Sequence, residues 1–116
     1  MNYYIIPGIK IEKGAIKKVP LTTIASVVCD YFGIEEADFY SGYRKRSLVE
    51  ARHYFMHFAR NKYKYNLLPI SRSLKMHHST VLHGLNVMQD LQFSDNRYRV
   101  EITELEMFLN LHAKIY

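Results

Sequence analysis

At 116 residues, 48% hydrophobic and 23% charged, the chain is one domain long, and its composition excludes wholesale disorder. Its formal charge is +5, and its single cysteine, Cys29, excludes an internal disulfide and any multi-cysteine zinc site. Apolar runs stop at three or four residues, too short to cross a bilayer, and no signal peptide is legible, so a cytoplasmic, nucleoid-associated domain is expected.

Residues 1–20 carry a short apolar run (Tyr3, Tyr4, Ile5, Ile6) punctuated by Pro7-Gly8 and closed by Pro20, and are expected to form an N-terminal arm. Residues 21–116 form the domain proper. Thr22 or Thr23 could cap a first helix whose apolar face is Ile24, Val27, Val28, Tyr31 and Phe32, with Gly33 as its stop. Residues 35–40 read as a short second helix with acids in its first turn. A loop ending in Arg44, Lys45 and Arg46 follows.

Ser47 with Glu50 has capping-box spacing, which predicts a third helix of about eighteen residues burying Leu48, Ala51, Phe55, Phe58 and Ala59. Asn66 should end it, and Pro69 fits the first position of a short fourth helix reaching Leu74. After Lys75-Met76-His77, Ser79 could cap a fifth helix to about Gln92, buried along Val81, Leu82, Leu85, Met88 and Leu91. A last helix starting near Ser94 or Asp95 should bury Ile102, Leu105, Phe108 and Leu109. The fold class is all-α, with about six helices.

Charge is concentrated in the middle. Residues 42–89 hold nine cations and one acid, Glu50, which is +8, so the flanks sum to −3. Five of those cations are arginines, whose planar forks suit phosphate and guanine. A short helix, a tight turn and a longer helix from His78 or Ser79 fit a helix-turn-helix, whose second helix meets base edges with its N-terminal residues. Here that end reads His77-His78-Ser79-Thr80, four short polar side chains able to contact base edges.

The run Met76-His77-His78-Ser79-Thr80-Val81-Leu82-His83 resembles the signature of the C-terminal DNA-binding domain of bacterial DnaA replication initiators. The similarity extends upstream through Val28-Cys29-Asp30-Tyr31-Phe32, Ala37-Asp38-Phe39, Arg44-Lys45-Arg46 and Ala51-Arg52-His53. It implies a helical fold of the Trp-repressor type that binds double-stranded DNA. It further implies that His78, Ser79 and Thr80 read major-groove bases and phosphates, and that Arg52 contacts a base. The basic loop would insert Arg44 or Arg46 into the minor groove, Lys45 adding charge beside them, and Arg60 would touch the backbone. Lys75 lies in the motif's turn and His53 next to Arg52, both on the implied DNA face. His83 is retained from the signature, with packing or a local hydrogen bond as its expected role.

Three departures stand out. His77 replaces an aspartate that accepts from a base amino group, Met76 replaces a cation, and His53 replaces a glutamine, so the preferred box should differ from that of the chromosomal initiators. No Gly-Lys-Ser or Gly-Lys-Thr phosphate loop occurs, so a stand-alone domain with no nucleotide, no cofactor and no catalysis is expected. Two rivals remain. His53 and His57 with Glu50 share one helix face and could begin a metal site, but no further ligand set is evident; Cys29 and Tyr116 lack a partner base. The acidic last helix (Glu101, Glu104, Glu106) could instead be the surface of a protein-interaction module that has lost DNA binding, its partner unknown.

Overall fold

Pro20 starts the described fold: its fixed, extended backbone leaves its carbonyl to accept from Thr23 and Ile24 N–H at 3.0 and 3.1 Å. Helix α1 (Leu21–Phe32) therefore begins one residue before the expected threonines, and no side chain caps it. Gly33 ends it in the left-handed region at φ 67°, where its N–H and that of Ile34 close on the last carbonyls. Helix α2 (Glu36–Phe39) follows as one short turn.

In the computed structural model, residues 19–113 are described, and among them the order continues with α3 (Arg46–His57), a π-helical turn (Phe58–Lys62), α4 (Leu67–Leu74), α5 (His78–Ser94) and α6 (Asn96–Ala113). No strand occurs among these residues. Of the expected N-terminal arm, all but Val19 and Pro20 lies outside them, as does Tyr116.

The expected capping box of α3 does not form. Lys45 already turns the chain into the helix at φ −57°, ψ 139°, so Ser47 lies inside the first turn and cannot cap. Glu50 instead meets Arg46 one turn back at 3.4 Å. Asn66 is not the end of α3 but the residue before α4, and Pro69 is the third residue of α4, still within the turn that needs no donor.

The core is built on α3. Ala51, Phe55, Phe58 and Ala59 are buried as expected, joined by Tyr54 and Met56, and they meet Ile24, Val27 and Val28 of α1 and Phe39 of α2. Helix α5 crosses α3 through Val81, Gly84 and Met88, all buried. That choice of stripe turns Leu82 outward, against expectation, and leaves Leu85 and Leu91 partly buried.

Helix α6 closes the far side with Tyr98, Leu105 and Leu109, while Phe108, expected inside, is 45% exposed with its ring 5.8 Å from that of Tyr31. The acids of α6 face other elements: Tyr54 donates to Glu101, Tyr31 to Glu104, and Lys62 pairs with Glu106 at 3.2 Å. Burial and its carboxylate partner push the Tyr31 phenol up to about 12, so it remains the donor. Each of the three acids invoked for a protein-interaction surface thus has a partner within the fold, while Glu104 and Glu106 remain exposed.

Candidate nucleic-acid interface

Helix α4, a three-residue turn and α5 make the helix-turn-helix corner. The turn is sharp because Lys75 adopts a left-handed conformation (φ 56°, ψ 44°), which lets its N–H reach Arg72 carbonyl and the Met76 N–H reach Ser71 carbonyl at 2.9 Å. His77 then returns to extended backbone (φ −71°, ψ 148°) and caps α5, where Ser79 was expected to do so. Its Nδ1 accepts from the Ser79 N–H at 3.2 Å and lies 2.8 Å from Ser79 Oγ. The His78 ring packs on it, centroids 4.3 Å apart. His77, His78, Ser79 and Thr80 are all exposed.

The loop between α2 and α3 forms the facing wall, and Arg52 shapes it. This arginine is 3% exposed, and its guanidinium is spread over four backbone carbonyls. Nε donates to Phe39 at 2.9 Å, Nη1 to Tyr43 at 2.8 Å, and Nη2 to Asp38 and Ser41 at 3.2 and 2.9 Å. A buried cation held only by dipoles is unusual. Burial and the neighbouring Arg44 both pull its pKa down from the ordinary value. The side chain expected at a base edge is therefore turned inward, with four of its five donor hydrogens engaged within the fold.

Between the loop and the start of α5 lies a cavity of about 500 Å³. Val49, Met56, Leu74 and Met76 are apolar parts of its lining; Arg44, Lys75 and Thr80 are among the polar ones. Arg44 is exposed and has no hydrogen-bond or ion-pair partner among the described residues. Arg46 begins α3 and is committed to Glu50, so the two arginines left open by sequence differ in kind. Lys45 is exposed between them.

His53 does not project freely. Its ring is wedged at the α3–α5 crossing, where a Cβ on Gly84 would come within 2.8 Å of its Cδ2. Burial, more than the adjacent His83, lowers its pKa, with Glu50 opposing. Arg60, on the π-helical turn, is exposed and ties Nη1 to the Tyr65 carbonyl at 3.0 Å, leaving most of its fork outward. His57 meets the amide of Asn61 at 3.0 Å. Among the described residues no three His, Cys, Asp or Glu side chains are grouped to hold a metal ion. Two contributors escaped the sequence reading, Gly84 at the crossing and the carbonyls of residues 38–43. A glycine inside a strong helical run was the legible signal for the first; the second had none.

The family model described as bacterial dnaA protein helix-turn-helix matches residues 21–87. The chain belongs to this family. The DnaA helix-turn-helix match runs from α1 into α5 and so contains both walls of the cavity, whereas α6 lies beyond it. Similar proteins include the chromosomal replication initiator protein DnaA of Bacteroides thetaiotaomicron, 30% identical over 98 residues, covering 84% of this chain and 21% of the relative. That of Flavobacterium psychrophilum is 30% identical over 103 residues, covering 88% of this chain and 22% of the relative. That of the Wolbachia of Brugia malayi is 31% identical over 91 residues, or 77% and 20%. The chain spans about a fifth of the length of these curated relatives.

Proposed function

We propose that this domain binds double-stranded DNA sequence-specifically, without catalysis, in replication initiation, in its control or in transcription. The observation that carries the reading is that Arg44 of the loop and Thr80 of α5 line one cavity, at the most basic stretch of the chain. The N-terminal turn of α5 enters the major groove, with His77, His78, Ser79 and Thr80 toward base edges and phosphates. Arg44 reaches the adjacent minor groove, being the loop arginine without a carboxylate partner.

Lys75 and Arg60 contact phosphates. Arg52 and His53 act from inside: Arg52 sets the loop that carries Arg44, and His53 spaces α3 from α5. No nucleotide, cofactor or membrane enters this reading, and no helix among the described residues is long and apolar enough to cross one. Titration with a random-sequence duplex across a salt series, followed by selection of the bound fraction, tests it. Enrichment of a short box that Arg44→Ala and Thr80→Ala weaken supports the assignment. Absence of binding at about 50 mM salt, where phosphate contacts are strongest, refutes it.

A further inference from the structure

His77 has two ring nitrogens with different surroundings. One of them is assigned by the backbone: a peptide N–H can only donate, and the N–H of Ser79 points at Nδ1 from 3.2 Å. Nδ1 is therefore the unprotonated nitrogen of the neutral ring, and the proton resides on Nε2. Nε2 has no partner among the described residues, and the side chain is exposed beside Ser79 and Thr80. Protonating the ring would add a hydrogen at Nδ1 and leave Nε2 a donor. The outward nitrogen thus donates in either state.

Resting on the DNA-binding reading above, we infer that His77 selects a base edge that offers an acceptor, guanine O6 or N7, adenine N7 or thymine O4, and rejects cytosine, whose major-groove edge offers only an amino donor. The cap is what fixes this polarity. A freely rotating neutral histidine could present either nitrogen and would discriminate little; one held by the first turn of α5 presents a single hydrogen. An aspartate here would cap the helix equally well but present acceptor oxygens, the opposite polarity.

The test is site selection from a random duplex pool with three variants of the full chain. His77→Asn keeps a cap oxygen and leaves its amide hydrogens outward, so it should select the parental base. His77→Asp keeps the cap with the polarity inverted, so cytosine, which the parent rejects, should become the selected base at that one position. His77→Ala loses both and should relax the position. Discrimination of roughly tenfold is expected for the parent, within the cost of one mismatched pair. Thermal unfolding of the Asn and Asp variants should match the parent, which separates recognition from stability. If the Asp variant selects the parental base, the inference falls while the DNA-binding reading stands. If the parent binds no duplex, both fall.

Discussion

Three glycines separate close packing from backbone freedom, and Gly84→Ala is the informative one. A Cβ there would lie 2.5 Å from Met56 Sδ and 2.8 Å from His53 Cδ2. Ordinary carbon contacts sit at roughly 3.5–4.0 Å, so the neighbours must retreat by about 1 Å. Met56 is 1% exposed and His53 is wedged in the crossing, and both border the cavity, so the space they can retreat into is the cavity itself. Overpacking of this kind costs about 1–3 kcal/mol, while alanine returns about 0.8–1 kcal/mol of helix propensity. The net expectation is a loss of up to about 2 kcal/mol, or up to roughly 10 °C in melting temperature for a domain near this size. Thr80 lies one turn before Gly84, so specific DNA affinity should fall as α5 is pushed off α3. Gly42→Ala meets nothing within 4 Å and should be silent. Gly33→Ala, also in open space but at φ 67°, should lose about 1 kcal/mol through backbone strain alone. Thermal unfolding followed by circular dichroism reads all three. A Gly84→Ala chain more stable than the parent would refute the close crossing.

Other expectations follow from single residues. Arg52→Ala strands four carbonyls and should cost about 3–5 kcal/mol. Arg52→Lys should recover only part of that and still weaken specific more than random DNA binding, because the loop carrying Arg44 loses its shape; equal effects on both duplexes would count against a positioning role. Lys75→Gly relieves a left-handed lysine and should stabilise by about 0.5 kcal/mol while weakening every duplex alike, a split visible only with unfolding and binding measured on one preparation. Burial lowers the pKa of His57, with Glu106 opposing, and of His53. Between their lowered values and the unfolded value near about 6.5 the unfolded chain binds more protons, so stability should drop as pH falls from about 7. His57→Gln should flatten that decline in melting temperature measured against pH.

The helices were legible because their apolar spacing is regular, and the family because its signature is continuous through residues 76–83. The caps were less so. Threonines at 22 and 23, Ser47 and Ser79 all have the right chemistry, but Pro20, Lys45 and His77 turn the chain two or three residues earlier. Capping depends on a backbone angle, and side-chain chemistry alone does not set it. The inward turn of Arg52 was not legible either. Its partners are carbonyls of residues 38, 39, 41 and 43, and a carbonyl has no letter in the sequence. Leu82 and Phe108 were assigned to buried faces by spacing, yet the crossing at Gly84 and the contact with Tyr31 rotate them outward.

The same distinction bears on charge, where counting letters overstates what a duplex would meet. Nine cations lie in residues 42–89. Arg52 is spent on carbonyls, Arg46 on Glu50 and Lys62 on Glu106, and Lys64 is also engaged within the fold, so at most five remain to displace counterions. Each neutralised phosphate contributes about −0.9 to the slope of log affinity against log salt, so the nine would give about −8 and the five about −4.5. A measured slope of about −4.5 or shallower is expected, and Arg60→Ala should reduce its magnitude by about 1, weakening specific and random duplexes alike. Lys62→Ala should leave the slope unchanged and lower stability slightly through α6, since its partner is Glu106. A slope near −8, or one that Lys62→Ala reduces as much as Arg60→Ala does, would mean that these ion pairs open on DNA and that the folded-state pairing does not decide which cations reach phosphate.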